Sequence, residues 1–391
     1  MAEAEKAGVL PVQDTVLAHH GKTIFGPMRE WLQAGRVPPV LLLTGIKGVG
    51  KREVAYFLAQ WILCERNPLS TLAKPAAENE AAEEESLFGG ELFGAPPAAP
   101  ISNTHESELK PCGTCAACQR ALRGSWVDFT EILPDEDTGT LKIEPLRKLK
   151  ASVGFGSHEG GYRITLIPGA DRMTPQAANS VLKLLEEPPP GWLFFLTAGD
   201  PTLVLPTILS RCQTLRLKPL DSGSIEKILQ NGGVSRDRAA ICSELAHGSL
   251  VKAQAFADEE IWSQRKTFFA FLTEPQAHLN SLQDWAAADS SQFDLFLDQL
   301  ESIALDLTRL TLGSNSSNPE RHDWVNRDGT QALAKHASNA IRALGGVDQA
   351  RNFWIARAQR LARARSEALT PVNRKLLIQD LLLPWLNAVR K

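Results

Sequence analysis

Three groups of residues in this 391-residue chain have the types and spacing that chemistry requires. The first is Gly45-Ile46-Lys47-Gly48-Val49-Gly50-Lys51, which follows the apolar run Leu41-Leu42-Leu43. Glycines let backbone N–H groups curl around phosphates, and a lysine at the end of the loop reaches the β and γ oxygens of a nucleotide. Gly45, Gly48, Gly50 and Lys51 are therefore candidate ATP-binding residues. The next position should carry a hydroxyl for Mg²⁺, and it is Arg52. Two readings stay open: a nucleotide site with an impaired Mg²⁺ site, or a loop that keeps its shape and binds nothing.

The second group is Cys112, Cys115 and Cys118, spaced C-x2-C-x2-C, with Cys64 at the end of the first helix after the loop. Three thiolates in a tight knuckle converge on one ion, and a fourth completes a tetrahedral site. Cys64 is the natural fourth ligand; Cys212 and Cys242 lie in other segments. In a reducing compartment such a pattern reads as metal ligation rather than disulfides. Four thiolates leave no position for water, so the expected Zn²⁺ is structural. The third group is Ser210-Arg211-Cys212, which on its own residues reads as a surface arginine by default, though an arginine here can point out of its own domain into a neighbour's phosphate site.

ATP hydrolysis would also need carboxylates at the end of the neighbouring strand, one for Mg²⁺ and one to polarise water. The strand expected in that role, 162–167, ends in Pro168-Gly169-Ala170-Asp171. Pro168 and Gly169 hold the two positions, and Asp171 comes late enough to be read as a turn cap. Hydrolysis by this chain is not expected.

The elements that must position these residues can be read from periodicity. Buried strands are predicted at 40–44, 129–133, 162–167, 192–197 and 213–217. Helices are predicted at 51–64, near 144–152, and from Thr174-Pro175 as N-cap and first residue up to the prolines at 188–190. Strands alternating with helices predict a parallel α/β sheet. Beyond about residue 219 the pattern is helical, with helices near 259–272, 292–313, 329–343, 348–369 and 372–388. Between Pro75 and Leu109 there are eight Glu and no Lys or Arg, which reads as a disordered acidic insertion containing two Leu-Phe-Gly repeats.

Composition is that of an ordinary globular protein, 43% hydrophobic and 22% charged, with a net charge of −3. Such a balance gives no global attraction to nucleic acid. No apolar run reaches the ~18 residues of a membrane span, and the first residues do not read as a secretory signal. A cytoplasmic protein is expected.

Together these residues carry a resemblance. The segment Asn179-Ser180-Val181-Leu182-Lys183-Leu184-Leu185-Glu186-Glu187-Pro188-Pro189 is similar to the NALLKxLEEPP signature of the AAA+ subunits of the bacterial clamp loader. Ser210-Arg211-Cys212 matches their SRC triplet, and Cys64 with Cys112, Cys115 and Cys118 matches their zinc module. In order and spacing, apart from the acidic insertion, the resemblance covers residues 35 to about 255. It implies a RecA-like AAA+ P-loop domain at 1–218, with the zinc module at about 64–118 and the acidic insertion at about 70–110. A small helical lid at 219–257 and an all-α collar domain at 258–391 would follow, the collar joining subunits. It further implies a hetero-pentamer with motor (gamma/tau) and delta subunits. That complex loads the sliding clamp on primed DNA for DNA polymerase III, a DNA-directed DNA polymerase. Arg211 would be an arginine finger acting in trans.

Within the family, Arg52, Pro168 and Gly169 place the chain with the non-hydrolysing stator rather than the motor. So does Val251, where an ATP-binding subunit carries Arg. The alternative is a motor ATPase. Other classes compete. A zinc-knuckle nucleic-acid binder would need more than Arg120 and Arg123 beside the knuckle, and aromatic surfaces that are missing there. In a pure scaffold Arg211 would be idle. The arginines at 351, 357, 360, 363 and 365 could meet DNA phosphates, a partner's acidic face, or only solvent.

Overall fold

Five short, almost wholly buried runs of chain form one sheet. A computed structural model describes residues 14–72, 109–135, 139–153, 157–158, 161–312, 324–368 and 372–387. The acidic insertion, its Leu-Phe-Gly repeats and the loop at 314–320 lie outside the described residues. The chain divides into two compact units, Met1–Pro219 and Leu220–Lys391.

In the first unit the described elements run α1 (Asp14–Ala34), β1 (Val40–Thr44), α2 (Lys51–Ile62), α3 (Pro68–Leu72), α4 (Ala116–Leu122), β2 (Phe129–Glu131), α5 (Ile143–Ser152), β3 (Arg163–Ile167), α6 (Pro175–Glu186), β4 (Trp192–Ala198), α7 (Pro206–Leu209) and β5 (Gln213–Arg216). All strand pairings are parallel and the order across the sheet is β2-β3-β4-β1-β5. Parallel strands are covered on both faces, which is why β1 reads as an unbroken apolar run.

Alternation along β1 shows the two layers. Leu41 and Leu43 pack with α1 and α2 through Ile24, Met28, Val54 and Leu58. Val40 and Leu42 pack with α5 and α6 through Leu146, Leu149, Val181 and Leu185. On α6 the buried residues Ala177, Ala178, Val181, Leu184 and Leu185 recur at helical spacing, so one stripe faces the sheet. Thr174 caps that helix as expected, accepting from the Ala177 N–H at 3.2 Å, with Pro175 in the first turn. Each fully buried Leu in such a layer contributes about 1.5–3 kcal/mol.

One expectation is corrected by the topology. The strand at 163–167 is not the neighbour of β1: β4 lies between them, and β5 flanks the other side. Strand adjacency is set by long crossovers, which local periodicity does not encode. Chain order folds inward from β2 to β4, then crosses β1 to reach β5. The crevice beyond the carboxyl end of β1 is therefore the switch point where α/β sheets bind ligands.

The second unit is helical: α8 (Ser222–Asn231), α9 (Arg236–Leu245), α10 (Leu250–Phe256), α11 (Glu259–Thr273), α12 (Pro275–Ala287), α13 (Ser290–Leu312), α14 (Thr330–Leu344), α15 (Val347–Glu367) and α16 (Arg374–Asn387). Helix α12 was not anticipated: it follows α11 directly, with Glu274 closing one helix and opening the other. The core of α11–α16 is built on Phe268, Phe296, Trp354 and Trp385. The residues expected to form a lid and those expected to form a collar both belong to this unit. Asp298 on α13, 1% exposed, accepts from Lys252 of α10 and Arg365 of α15, each at 2.5 Å. No helix among the described residues is long and apolar enough to cross a membrane.

Candidate functional site

The loop after β1 turns on its glycines. Gly45, Gly48 and Gly50 all take positive φ, at 151°, 78° and 97°. A Cβ at Gly45 would lie 2.7 Å from the Leu217 carbonyl oxygen, and one at Gly50 would lie 2.7 Å from Val16 Cγ1. Glycine is required at both by conformation and by space. Val49 between them is fully buried, and its carbonyl is 2.8 Å from Nε2 of buried His20 on α1.

Lys51 opens α2 and turns back over the loop. Its Nζ donates to the carbonyls of Gly45 at 2.6 Å and Ile46 at 2.8 Å. Burial lowers its pKa, and the Asp171 carboxylate opposes that shift. Arg52 points elsewhere. Its Nη2 is 2.5 Å from Glu131 Oε2 on β2, and Tyr56 donates to the same oxygen at 2.6 Å. Burial, then the bond to Glu131, pushes the Tyr56 phenol up to about 12. The position that should bind Mg²⁺ thus holds a cation already committed to a carboxylate.

Pro168 and Gly169 hold the positions where the pair was expected, and the carboxylate beyond them whose charge reaches Lys51 is Asp171. Thr44 pairs with Ala198 and Leu196 pairs with Ile167. Just beyond, Gly169 turns out of the strand at φ 75°, its N–H donating to Thr197 Oγ1 at 3.2 Å. Asp171, just beyond, accepts from the Gly199 and Asp200 N–H groups at 2.7 and 3.0 Å. It closes the turn after β4, the structural role expected for it.

The four cysteines meet. The sulfurs of Cys64, Cys112, Cys115 and Cys118 all lie within 4.8 Å of one another. Cys64 comes from the turn after α2. Cys115 is the N-cap of α4, and Cys118 lies on its first turn, so a tight turn into a short helix suffices to converge the knuckle. Backbone N–H groups of Cys112, Cys115 and Cys118 point at the sulfurs of Cys64, Cys112 and Cys115, at 3.5, 3.3 and 3.4 Å. Such bonds favour thiolate, and with the Thr114 hydroxyl they pull the Cys112 thiol down to about 5. Burial pushes Cys64 and Cys118 up. A dication at the centre resolves this conflict by ionising all four, and the donor set fits a tetrahedral metal. Cys212 and Cys242 stay outside the cluster, as expected.

Arg211 follows α7. Its Nη1 donates to the Thr207 carbonyl at 2.7 Å and the Ser210 hydroxyl at 3.1 Å, and its Nη2 is 2.8 Å from Glu186 Oε1 at the end of α6. The arginines of α15 are largely committed within their own unit. Arg351 pairs with Asp348, Arg360 with Asp380 and Glu367, and Arg365 with Asp298 and Glu301. Arg357 lies over the Phe353 ring. Sequence reasoning did not single out Glu131, Tyr56 or His20. Glu186 carried a signal only as part of the LEEPP segment.

Known proteins can be set beside this geometry. The profile of the family described as DNA polymerase III, delta subunit, matches residues 97–221. DNA polymerase III subunit delta′ of Escherichia coli (strain K12) is 26% identical over 359 residues, covering 90% of each chain. The delta′ subunit of Bacillus subtilis (strain 168) is 28% identical over 322 residues, 78% of this chain and 80% of that one. DNA polymerase III subunit tau of Salmonella typhimurium is 29% identical over 246 residues, 61% of this chain but 32% of that one. The similarity to DNA polymerase III subunit delta′ thus extends over nine-tenths of this chain, while the tau likeness is confined to a shorter stretch.

Proposed function

We propose that this chain is the delta′-type stator of a bacterial clamp loader, a subunit that supports ATP-driven clamp loading without hydrolysing ATP itself. The observation that carries the reading is the chain leaving β3, together with Arg52. Pro168 and Gly169 stand there without a carboxylate, Asp171 is bonded to two backbone N–H groups, and Arg52 is paired with Glu131. Among the described residues, positions 52, 168 and 169 then offer neither the hydroxyl nor the carboxylates that phosphoryl transfer uses for metal and water. Nucleotide at Gly45, Gly48, Gly50 and Lys51 would be held without being turned over.

In this reading residues 1–218 are an AAA+ domain, 219–257 a lid and 258–391 a collar that joins the subunits. Cys64, Cys112, Cys115 and Cys118 hold a structural Zn²⁺ that ties the knuckle to the end of α2. Motor (gamma/tau) and delta subunits complete the ring, which acts on the sliding clamp and primed DNA. Arg211 is offered to the adjacent motor's ATP, where a finger neutralises charge on the transferring phosphoryl group.

The test is steady-state ATPase of the complex reconstituted with its motor and delta subunits, clamp and primed DNA. Arg211→Ala should remove the share of turnover contributed by the one motor site that Arg211 faces, where losing a finger costs about 10³ or more, while the complex still assembles. The isolated chain should be silent. Turnover by the isolated chain would replace this reading with the motor.

A further inference from the structure

Glu186 occupies a position its own helix disfavours. It is the last residue of α6, where unpaired carbonyls carry partial negative charge and a carboxylate is repelled. The prolines at 188–190 prevent the helix from continuing, so Glu186 stays in its final turn. What compensates is the Arg211 guanidinium, 2.8 Å from Oε1. The second terminal nitrogen of Arg211 is engaged as well, by the Thr207 carbonyl and the Ser210 hydroxyl. A planar guanidinium held from two elements has a fixed direction. Both side chains are about a third exposed, at 34% and 38%, so the pair is weakly held and within reach of an incoming group.

We propose that Glu186 is a positioning residue that stows the Arg211 finger between catalytic cycles and yields it to the neighbour's phosphate. The inference rests on the reading of Arg211 as a finger. A γ-phosphoryl group in transfer spreads negative charge over three oxygens, and it outcompetes one carboxylate and a neutral carbonyl for the guanidinium. The arginine therefore passes from one anionic partner to another. Glu186 makes the resting position specific and limits finger action before the ring is engaged.

The experiment uses the reconstituted complex, with ATPase measured against ATP concentration in the absence and presence of clamp and primed DNA. Glu186→Gln keeps the shape and an acceptor but removes the charge. The Arg211-dependent part of the rate without clamp and DNA, taken as the difference from Arg211→Ala, should rise about two- to fivefold, the factor an exposed ion pair supplies. KM for ATP should hold, because the motor's own phosphate loop is untouched. In an Arg211→Ala background, Glu186→Gln should change nothing further, and its melting temperature should match the wild type. An unchanged or lowered basal rate with Arg211 present overturns the proposal, as does the same change in the Arg211→Ala background. If Arg211→Ala alone leaves turnover intact, the finger reading falls, and the stowing of a finger falls with it.

Discussion

A metal held by the four cysteines should contribute about 4 kcal/mol to stability, lost on its removal. The figure comes from the loop the site closes. Cys64 and Cys112 are 48 residues apart in the chain, and in the chain-entropy model a crosslink spanning ~50 residues restricts the unfolded state by about 4 kcal/mol at 25 °C. Metal that also binds unfolded thiols would reduce this. For a unit of this size about 2–4 °C accompanies each kcal/mol, so chelation should lower the melting temperature by roughly 8–16 °C. The assay is a thermal scan with and without chelator, with metal counted by plasma mass spectrometry. Cys64→Ser and Cys115→Ser should reproduce the loss and carry no metal. A second variant isolates the entropy. Deleting 76–105 shortens the closed loop to about 18 residues, so metal removal should cost about 0.9 kcal/mol less than in the full chain. Full metal loss with an unmoved melting temperature would refute the reasoning, as would a Cys64→Ser protein that keeps its metal.

Other outcomes follow from the same geometry. Arg52→Thr restores a hydroxyl but no carboxylate at 168–169, so phosphate release by the isolated chain should stay at background; measurable turnover would undo the account of the β3 end. His336 is buried between Trp354 and Trp385, and desolvation lowers its pKa from 6.5 to about 4. The unfolded chain therefore takes up this proton first. Stability should fall as pH drops from about 6.5 towards 4, by on the order of 3 kcal/mol in all. Urea midpoints of wild type and His336→Gln across that window should diverge in slope, and parallel curves would refute the assignment. Asp298→Ala strands the cations of Lys252 and Arg365. Both are partly exposed and Arg365 keeps Glu301, so a loss of about 1–3 kcal/mol in urea unfolding is expected rather than the full cost of a buried broken pair.

Elements buried on both faces were legible in the sequence, because apolar runs bounded by turns admit few other states. The strand at 40–44 and the cap at Thr174-Pro175 belong to this class, as does the cysteine knuckle, whose spacing is its geometry. What escaped depends on pairs distant in sequence. Nothing local places β4 between β1 and β3. Helix α12 buries only Leu282 and Ala286 among its buried residues, too thin a stripe to read, and it begins where α11 ends. The arginines of α15 read as an open basic face because Asp298, Glu301 and Asp380 lie on other helices. Arg52 and Arg211 were each legible as a type at a position, but their partners Glu131 and Glu186 were not, since each pair joins separate elements of the sheet domain.

The phosphate loop keeps its form for reasons that do not require a nucleotide. Gly45 is pressed against the Leu217 carbonyl, so the loop's first turn is set by its approach to the chain leaving β5. Val49 is a core residue whose carbonyl is met by His20 of α1. Lys51 closes the loop on itself through two of the loop's own carbonyls. The first two restraints belong to the packing around β1, and the third to the loop's own backbone. Folding alone therefore restrains Gly45, Gly50 and the buried valine. The position of Arg52 carries no such restraint from the core: its side chain is 55% exposed and reaches sideways to Glu131. Pro168 stands at the end of β3, where a carboxylate serves chemistry rather than packing.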